Sequence, residues 1–281
     1  MPSTYIKNAG TFSILKKAFV KNGGAWSQVK SIFVKNGGVW SRSYLNEIIV
    51  NVSSQNNINL RTLYTTQTGD SSASDVTAVF NINGNIGSSS TATASLVTGT
   101  WSAGSVVTVN ISAGVYVVGA GGAGSQTAGS AGGDAVSLSK SITINNYGTI
   151  GGGGGGGGGI LYSYIFIPQG GSSYTVNVYG YGGGGAGLVA GSGSGSNSSA
   201  GTITAGGGGS VASGRNWNGN NYVVQGGGGG GLGANGARGT TDIDGGYHAD
   251  GYAAGIAGKA IALNTYTATR PVVGTVMGAI S

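Results

Sequence analysis

The 281-residue chain has no cysteine, one histidine, three prolines and only 7% charged residues. Without cysteine there is no disulfide framework, no thiolate metal site and no thiol nucleophile. Three prolines and irregular glycine spacing exclude a collagen triple helix, which needs glycine at every third position and abundant proline. Low charge argues against ordinary disorder, where high charge goes with few bulky apolar residues. No apolar run approaches the roughly 20 residues that cross a bilayer as a helix. Met1-Pro-Ser-Thr-Tyr-Ile-Lys-Asn8 lacks the apolar stretch of a signal peptide. The expectation is synthesis in a cytoplasm. No amphipathic helix of useful length is visible.

Glycine fills the space these residues leave. Eleven of the 62 glycines precede Gly119, so 51 fall in the last 163 residues, including the unbroken run Gly151 to Gly159. A residue without Cβ cannot build a side-chain core and loses the most conformational entropy on folding. Gly191-Ser-Gly-Ser-Gly-Ser196 would suit a flexible linker, but Ile142-Thr-Ile-Asn-Asn-Tyr-Gly-Thr-Ile150 would not. The alternative is an ordered scaffold. Tracts at 119–124, 151–159, 182–187, 206–209, 226–233 and 245–258 suit extended threefold polyglycine helices. Nine residues of such a helix span about 28 Å. It has no internal hydrogen bonds, so its backbone groups must find partners on neighbouring rods.

The net charge of +6 is concentrated at one end. Lys7, Lys16, Lys17, Lys21, Lys30, Lys35 and Arg42 all precede the first acid, Glu47, and the remainder carries six basic against seven acidic residues. So confined a patch suits a protein partner at least as well as nucleic acid, and no nucleic-acid role is expected. In the same segment Ala18-Phe-Val-Lys-Asn-Gly-Gly-Ala-Trp-Ser27 recurs as Ile32-Phe-Val-Lys-Asn-Gly-Gly-Val-Trp-Ser41. Asn-Gly marks a tight hairpin turn, so each unit reads as a hairpin ending on an aromatic. Phe19, Trp26, Phe33 and Trp40 would gather on one surface, as a mini-core or as interface anchors.

Residues 47–118 read as a β-domain. Val76, Ala78, Phe80 and Ile82 alternate as on one face of a half-buried strand, and Val106–Ile111 and Val115–Val118 repeat the signal.

The order of these parts resembles the distal tail-fibre adhesin of T-even-type bacteriophages. The resemblance rests on the Trp-bearing repeat, the Glu-Ile-Ile segment, and Val117-Val-Gly-Ala-Gly-Gly-Ala-Gly124. It rests also on Ile144-Asn-Asn-Tyr-Gly-Thr-Ile-Gly-Gly-Gly-Gly-Gly155 and the closing Gly258-Lys-Ala-Ile and Gly274-Thr-Val-Met-Gly-Ala-Ile280. It implies a mostly β and irregular fold in three parts. Residues 1–46 form a hairpin attachment module, 47–118 a β-domain, and 119–281 a polyglycine II sandwich with variable loops. It implies attachment to the trimeric tip of the long tail fibre through residues 1–46. It also implies binding of a host outer-membrane protein or lipopolysaccharide through the loops. The location implied is the virion, at the fibre's distal tip, and no cofactor is implied.

On this sequence the loops are 125–130, 160–173, 188–205, 210–225 and 240–251. Their candidate contact residues are Tyr162, Tyr164, Phe166, Arg215, Trp217, Tyr222, Tyr247 and His248. Aromatics with amides give contact area at low entropic cost. Tyr162, Tyr164 and Phe166 also alternate at strand spacing, and so could pack on the glycine slab. Trp217 and Tyr222 lie in a polar segment with no strand signal, where exposure is expected. Asp242, Asp244, His248 and Asp250 match neither a calcium-loop nor a zinc-helix spacing and read as polar loop residues. No catalytic or metal site is expected. Three rival readings are a tail assembly factor, a silk-like or linker protein whose glycine half has no unique fold, and a surface-polysaccharide hydrolase using Asp242 and Asp244. The hydrolase would be expected to show a long repeating β-solenoid, and the sequence displays none.

Overall fold

A computed structural model of the chain describes residues 5–8, 11–14, 18–29, 31–45, 47–71, 75–216, 218–244 and 247–281. It opens on antiparallel hairpins. β1 (Tyr5–Asn8) pairs with β2 (Thr11–Ile14), β3 (Phe19–Asn22) with β4 (Ala25–Gln28), and β5 (Ser31–Asn36) with β6 (Val39–Leu45). The two central turn positions are Gly23-Gly24 (φ +58° and +90°) and Gly37-Gly38 (φ +58° and +86°), so Gly-Gly and not the expected Asn-Gly takes the left-handed conformation, and Asn22 and Asn36 end their strands opposite Ala25 and Val39. The two expected hairpins are present, and another precedes them.

Next comes a coil of short strands. β7 (Glu47–Val52), β8 (Gln55–Asn56) and β9 (Ile58–Asn59) are the three sides of its first turn, followed by a helix, α1 (Leu60–Thr68). β10 (Thr77–Ile82), β11 (Ile86–Gly87) and β12 (Leu96–Val97) form the second turn. β13 (Val106–Ile111), β14 (Tyr116–Val118) and β15 (Val136–Ser137) form the third. β16 (Ile142–Asn146) and β17 (Thr149–Gly151) begin the fourth, and there the chain departs. Residues 152–260 carry β18 (Ile160–Phe166), β19 (Tyr174–Gly180), β20 (Val211–Arg215), β21 (Asn221–Gln225), β22 (Thr240–Ile243) and β23 (Tyr247–Asp250). The chain returns as β24 (Ile261–Ala262), then β25 (Ala268–Val272) and β26 (Thr275–Met277).

Equivalent strands stack in parallel into three sheets, β7-β10-β13-β16-β25, β8-β11-β14-β17-β26 and β9-β12-β15-β24. This is a short β-solenoid, an architecture that the sequence, which displays no long repeating solenoid, did not reveal. Residues 136–151 and 261–281 complete it, so they do not belong to a C-terminal glycine domain; the glycine-rich slab comes from two insertions, 119–133 in the third turn and 152–260 in the fourth. The helix α1 also corrects the expectation of none. Asn59 caps it by accepting from the backbone N–H of Arg61 at 3.0 Å and of Thr62 at 3.2 Å, and Gly69 ends it at φ +68°.

The core of the coil is a set of side-chain columns. Val50, Phe80, Val109 and Ile144 are in register on the first sheet and buried, as are Ile58, Leu96, Val136 and Ile261 on the third. Val76, Ala78, Phe80 and Ile82 are all buried, as their alternation requires. Outside the first sheet runs a ladder of amides. Asn81 donates to Asn51 at 3.1 Å, Asn110 to Asn81 at 2.9 Å, and Asn145 to Asn110 at 2.9 Å. Asn110→Ala breaks two of these bonds at the middle of the stack. It should cost about 1–2 kcal/mol, seen as a lower midpoint in thermal unfolding, whereas a change within experimental error would show that the ladder contributes nothing.

In the insertions, glycine runs pass up and down beside one another and bond laterally. Gly151–Gly159 lies among runs at 119–125, 127–133, 183–186, 227–233, 234–237 and 252–258. Its donors cycle. Gly153, Gly156 and Gly159 donate to Gly133, Ser130 and Thr127; Gly154 and Gly157 to Ala186 and Gly183; Gly155 and Gly158 to Ala234 and Ala237, all at 2.7–3.1 Å. The backbone is thus satisfied without side chains. A Cβ built on any residue from Gly152 to Gly159 would fall on a neighbouring carbonyl oxygen. Close approach, not a left-handed φ, is what requires glycine here. The slab meets the solenoid through a small apolar plug of Val118, Ala186 and Leu232, flanked by Tyr116, Leu188 and Ile203.

Candidate functional site

The nine-glycine run has one end on the solenoid, where Gly151 continues β17, and the other at Ile160, where β18 begins. The other strands of the insertion converge on that second end. Gly251 N–H donates to Gly239 O at 2.7 Å and Tyr252 N–H to Gly159 O at 2.9 Å, while a Cβ on Gly180 would touch the Gln225–Gly226 peptide. Two sheets therefore grow from the slab's free end. One is the hairpin β18–β19; the other is the antiparallel order β20-β21-β22-β23.

Aromatic packing joins them. The Tyr222 ring centroid is 5.2 Å from that of Tyr162 and 5.9 Å from that of Tyr164, and the last two are 5.7 Å apart. Phe166 packs on Tyr174 at 5.3 Å. Tyr162, Tyr164 and Phe166 are half-buried, so the face they share looks towards the second sheet. Asn216 donates its amide to the Tyr162 hydroxyl at 3.3 Å. The Tyr222 hydroxyl is pushed above its ordinary pKa by burial first and then by the neighbouring Tyr164 phenol. Tyr222 is corrected: it sits in strand β21, half-buried, and not in an exposed strand-free loop. The polar composition of 215–222 hid two short strands whose alternating small residues leave room for it. A Cβ on Gly214 would meet the Tyr222 hydroxyl.

The opposite face of the hairpin was not singled out by the sequence reading. Ile165 and Ile167 are 57% and 51% exposed, and Leu161 joins them. The alternation that placed Tyr162, Tyr164 and Phe166 inward contained this signal, because every second residue must then face water. Arg215 is exposed, its Nε donating to Asn221 Oδ1 at 3.0 Å. Asp244 Oδ2 accepts from the Asn221 backbone N–H at 3.1 Å and its side-chain amide at 2.7 Å. Trp217 lies outside the described residues, as do the side chains of Trp26, Trp40, Tyr247, His248 and Asp250; the backbones of Tyr247 and His248 pair with Ile243 and Asp242. Among the described residues no group of three or more acids and histidines could hold a metal, and no helix is long and apolar enough to cross a membrane. The 188–205 segment, expected as a tip loop, seats Leu188 and Ile203 in the plug at the solenoid end.

A family model described as phage tail fibre adhesin Gp38 matches residues 47–281, which include the coil, the slab and both sheets. The chain belongs to that family. No curated protein matches this Gp38-family chain. Its fold is similar to the crystal structure of the gp37–gp38 adhesin tip complex of the bacteriophage S16 long tail fiber. The TM-score is 0.55 at 23% identity, over 85% of this chain and 84% of the other. The family match begins at Glu47, so the three hairpins of this adhesin lie outside it.

Proposed function

We propose that this Gp38-family adhesin is carried at the distal tip of a phage tail fibre and binds the host outer surface with the two sheets at the free end of its slab. The observation that carries the reading is their placement. In a chain of the tail-fibre adhesin family, the only extended excursions of the described glycine insertion stand at the end away from the solenoid. The receptor is an outer-membrane protein or lipopolysaccharide. The slab is a sandwich of polyglycine II helices. The period-three cycling of donors along Gly153–Gly159 supports this, because a threefold rod offers each neighbour every third residue. Rods held this way let the tip vary, since no side-chain core runs beneath it. They also limit the entropy lost on docking.

Fibre attachment falls to the N-terminal hairpins, with Phe19, Trp26, Phe33 and Trp40 as contacts. The protein is not an enzyme: Asp244 is engaged in holding Asn221 across the sheet, which supports a structural task for that carboxylate. The test is binding of purified protein to host cells. Saturable binding that blocks adsorption of phage bearing the same adhesin is expected. Absence of both binding and competition, from a protein that melts cooperatively, would sink the reading.

A further inference from the structure

Asparagine followed by glycine can modify itself. The glycine backbone nitrogen, once it has lost its proton, attacks the asparagine side-chain carbonyl carbon, and ammonia leaves. Water opens the resulting five-membered succinimide to aspartate or, through its other carbonyl, to isoaspartate. Glycine favours the attack because it has no Cβ to crowd the approach. The side chain and the following peptide must still turn towards each other, so packing that fixes either one slows the reaction.

The chain has five Asn-Gly pairs, beginning at Asn22, Asn36, Asn83, Asn218 and Asn235. The side chains of Asn22 and Asn36 lie outside the described residues. Two of the other three pairs are held in place. Asn83 Oδ1 accepts from the Ser112 hydroxyl at 2.9 Å, and a Cβ on Gly84 would fall on the Ser54 backbone. Asn235 Oδ1 accepts from Ala257 N–H at 2.8 Å while Gly236 N–H donates to Gly255 O at 3.0 Å, so both halves of that pair are bound to the 252–258 run. Asn218 differs on each count. It is exposed, its side chain has no hydrogen-bond partner among the described residues, and a Cβ on Gly219 would meet nothing within 4 Å. Gly219 N–H bonds only inside its own turn, to Asn216 O at 2.9 Å.

We propose that Asn218-Gly219 is a self-modification site, and that its conversion weakens binding of the tip to the host. The pair sits in the turn that joins β20 to β21. Asn216 N–H closes this turn on Asn220 O at 2.9 Å, and Asn220 N–H returns to Asn216 Oδ1 at 3.1 Å. The same Asn216 donates its amide to the Tyr162 hydroxyl, a bond between the two sheets of the tip. Isoaspartate adds a methylene to the backbone of the turn, which cannot then keep all of these bonds. Aspartate puts a negative charge where an amide stood. The effect on binding rests on the adhesin reading above; the chemistry at Asn218 does not.

The test incubates the full chain in mildly alkaline buffer, native and in denaturant. Peptide mass spectrometry reads each site as the one-dalton gain when acid replaces amide. In the native protein Asn218 should convert about 10-fold or more faster than Asn83 or Asn235, which need local opening first. In denaturant the three rates should converge. Host-cell binding should fall about 10-fold as residue 218 converts, the size of one or two lost neutral hydrogen bonds. Asn218→Gln, whose longer side chain would have to close a six-membered ring, should bind as fresh wild type does and keep its binding on storage. Equal native rates at the three sites would overturn the site. Full conversion at 218 with unchanged binding, or an equal loss in the Gln variant, would overturn its effect. A fresh wild type that binds no host cells sinks the adhesin reading and the effect with it, and leaves the order of rates to decide the site.

Discussion

Gly155→Ala should strongly destabilise the slab, while Gly228→Ala, in a neighbouring antiparallel tract of the same insertion, should leave it intact. A Cβ at Gly155 lands on the carbonyl oxygen of Gly255, on one flank of the central run. The peptide there cannot move aside, because Gly155 N–H donates to Ala234 O at 3.1 Å and its carbonyl accepts from Gly230 at 2.8 Å. Shifting the run to admit one methyl stretches bonds to several runs together. The cost belongs to the upper range for overpacking, about 3 kcal/mol or more. For a chain of this size that lowers the melting midpoint by about 10 °C, at roughly 2–4 °C per kcal/mol. At Gly228 a Cβ meets only Gly207 O, at 3.6 Å, which is ordinary contact. A change there should stay within about 0.5 kcal/mol. Differential scanning calorimetry of the two variants decides the matter. Equal stability would mean that the tracts are not packed backbone to backbone.

The largest functional effect is expected from the outer face of the β18–β19 hairpin. Ile165→Asp with Ile167→Asp should weaken binding to host cells about 100-fold or more, with the melting midpoint unchanged. Buried apolar anchors at the centre of an interface each contribute about 2 kcal/mol or more, and 1.4 kcal/mol is a factor of ten. Both side chains are more than half exposed in the free protein, so replacing them removes little internal packing. Tyr162→Phe is the matched comparison. It loses the 3.3 Å bond from Asn216 but keeps the ring among Tyr164 and Tyr222. It should leave affinity within about threefold, since a neutral hydrogen bond contributes only about 0.5–1.5 kcal/mol net. Equal losses from both variants would move the contact surface inward, to the tyrosines.

The strands were legible where local alternation decides them, as at Val76–Ile82, and the position of the hairpin turns from Asn-Gly-Gly, although Gly-Gly and not Asn-Gly takes the positive φ. The solenoid was not, although its columns are written in the chain. Asn51, Asn81, Asn110 and Asn145 mark successive turns, but they are 30, 29 and 35 residues apart, and the next turn follows a long insertion. Unequal inserts conceal a repeat whose structural period is constant. The first hairpin was hidden differently: Tyr5-Ile-Lys-Asn-Ala-Gly-Thr-Phe12 keeps the pattern but not the Asn-Gly-Gly letters. At the tip, the candidate aromatics were found and their direction was not. Tyr222 pairs its ring with residues about 60 positions earlier, and no local pattern reports that.

The sequence by itself determined that the glycine tracts, Gly151–Gly159 above all, would have no side-chain core. With glycine at so many positions, only backbone groups remain to hold the segment together. It also determined where charge and aromatics gather, and that β-structure would dominate. Tertiary structure alone decided which glycines admit no Cβ, because that depends on runs far apart in the chain lying side by side. It decided that residues 261–281 return to the solenoid, where the Asn146 amide donates to Thr275 O across 129 positions and Lys259 N–H to Asp134 across 125. And it decided which face of the β18–β19 hairpin meets water: both faces carry large apolar side chains, and only the packing of the second sheet against one of them leaves the other exposed.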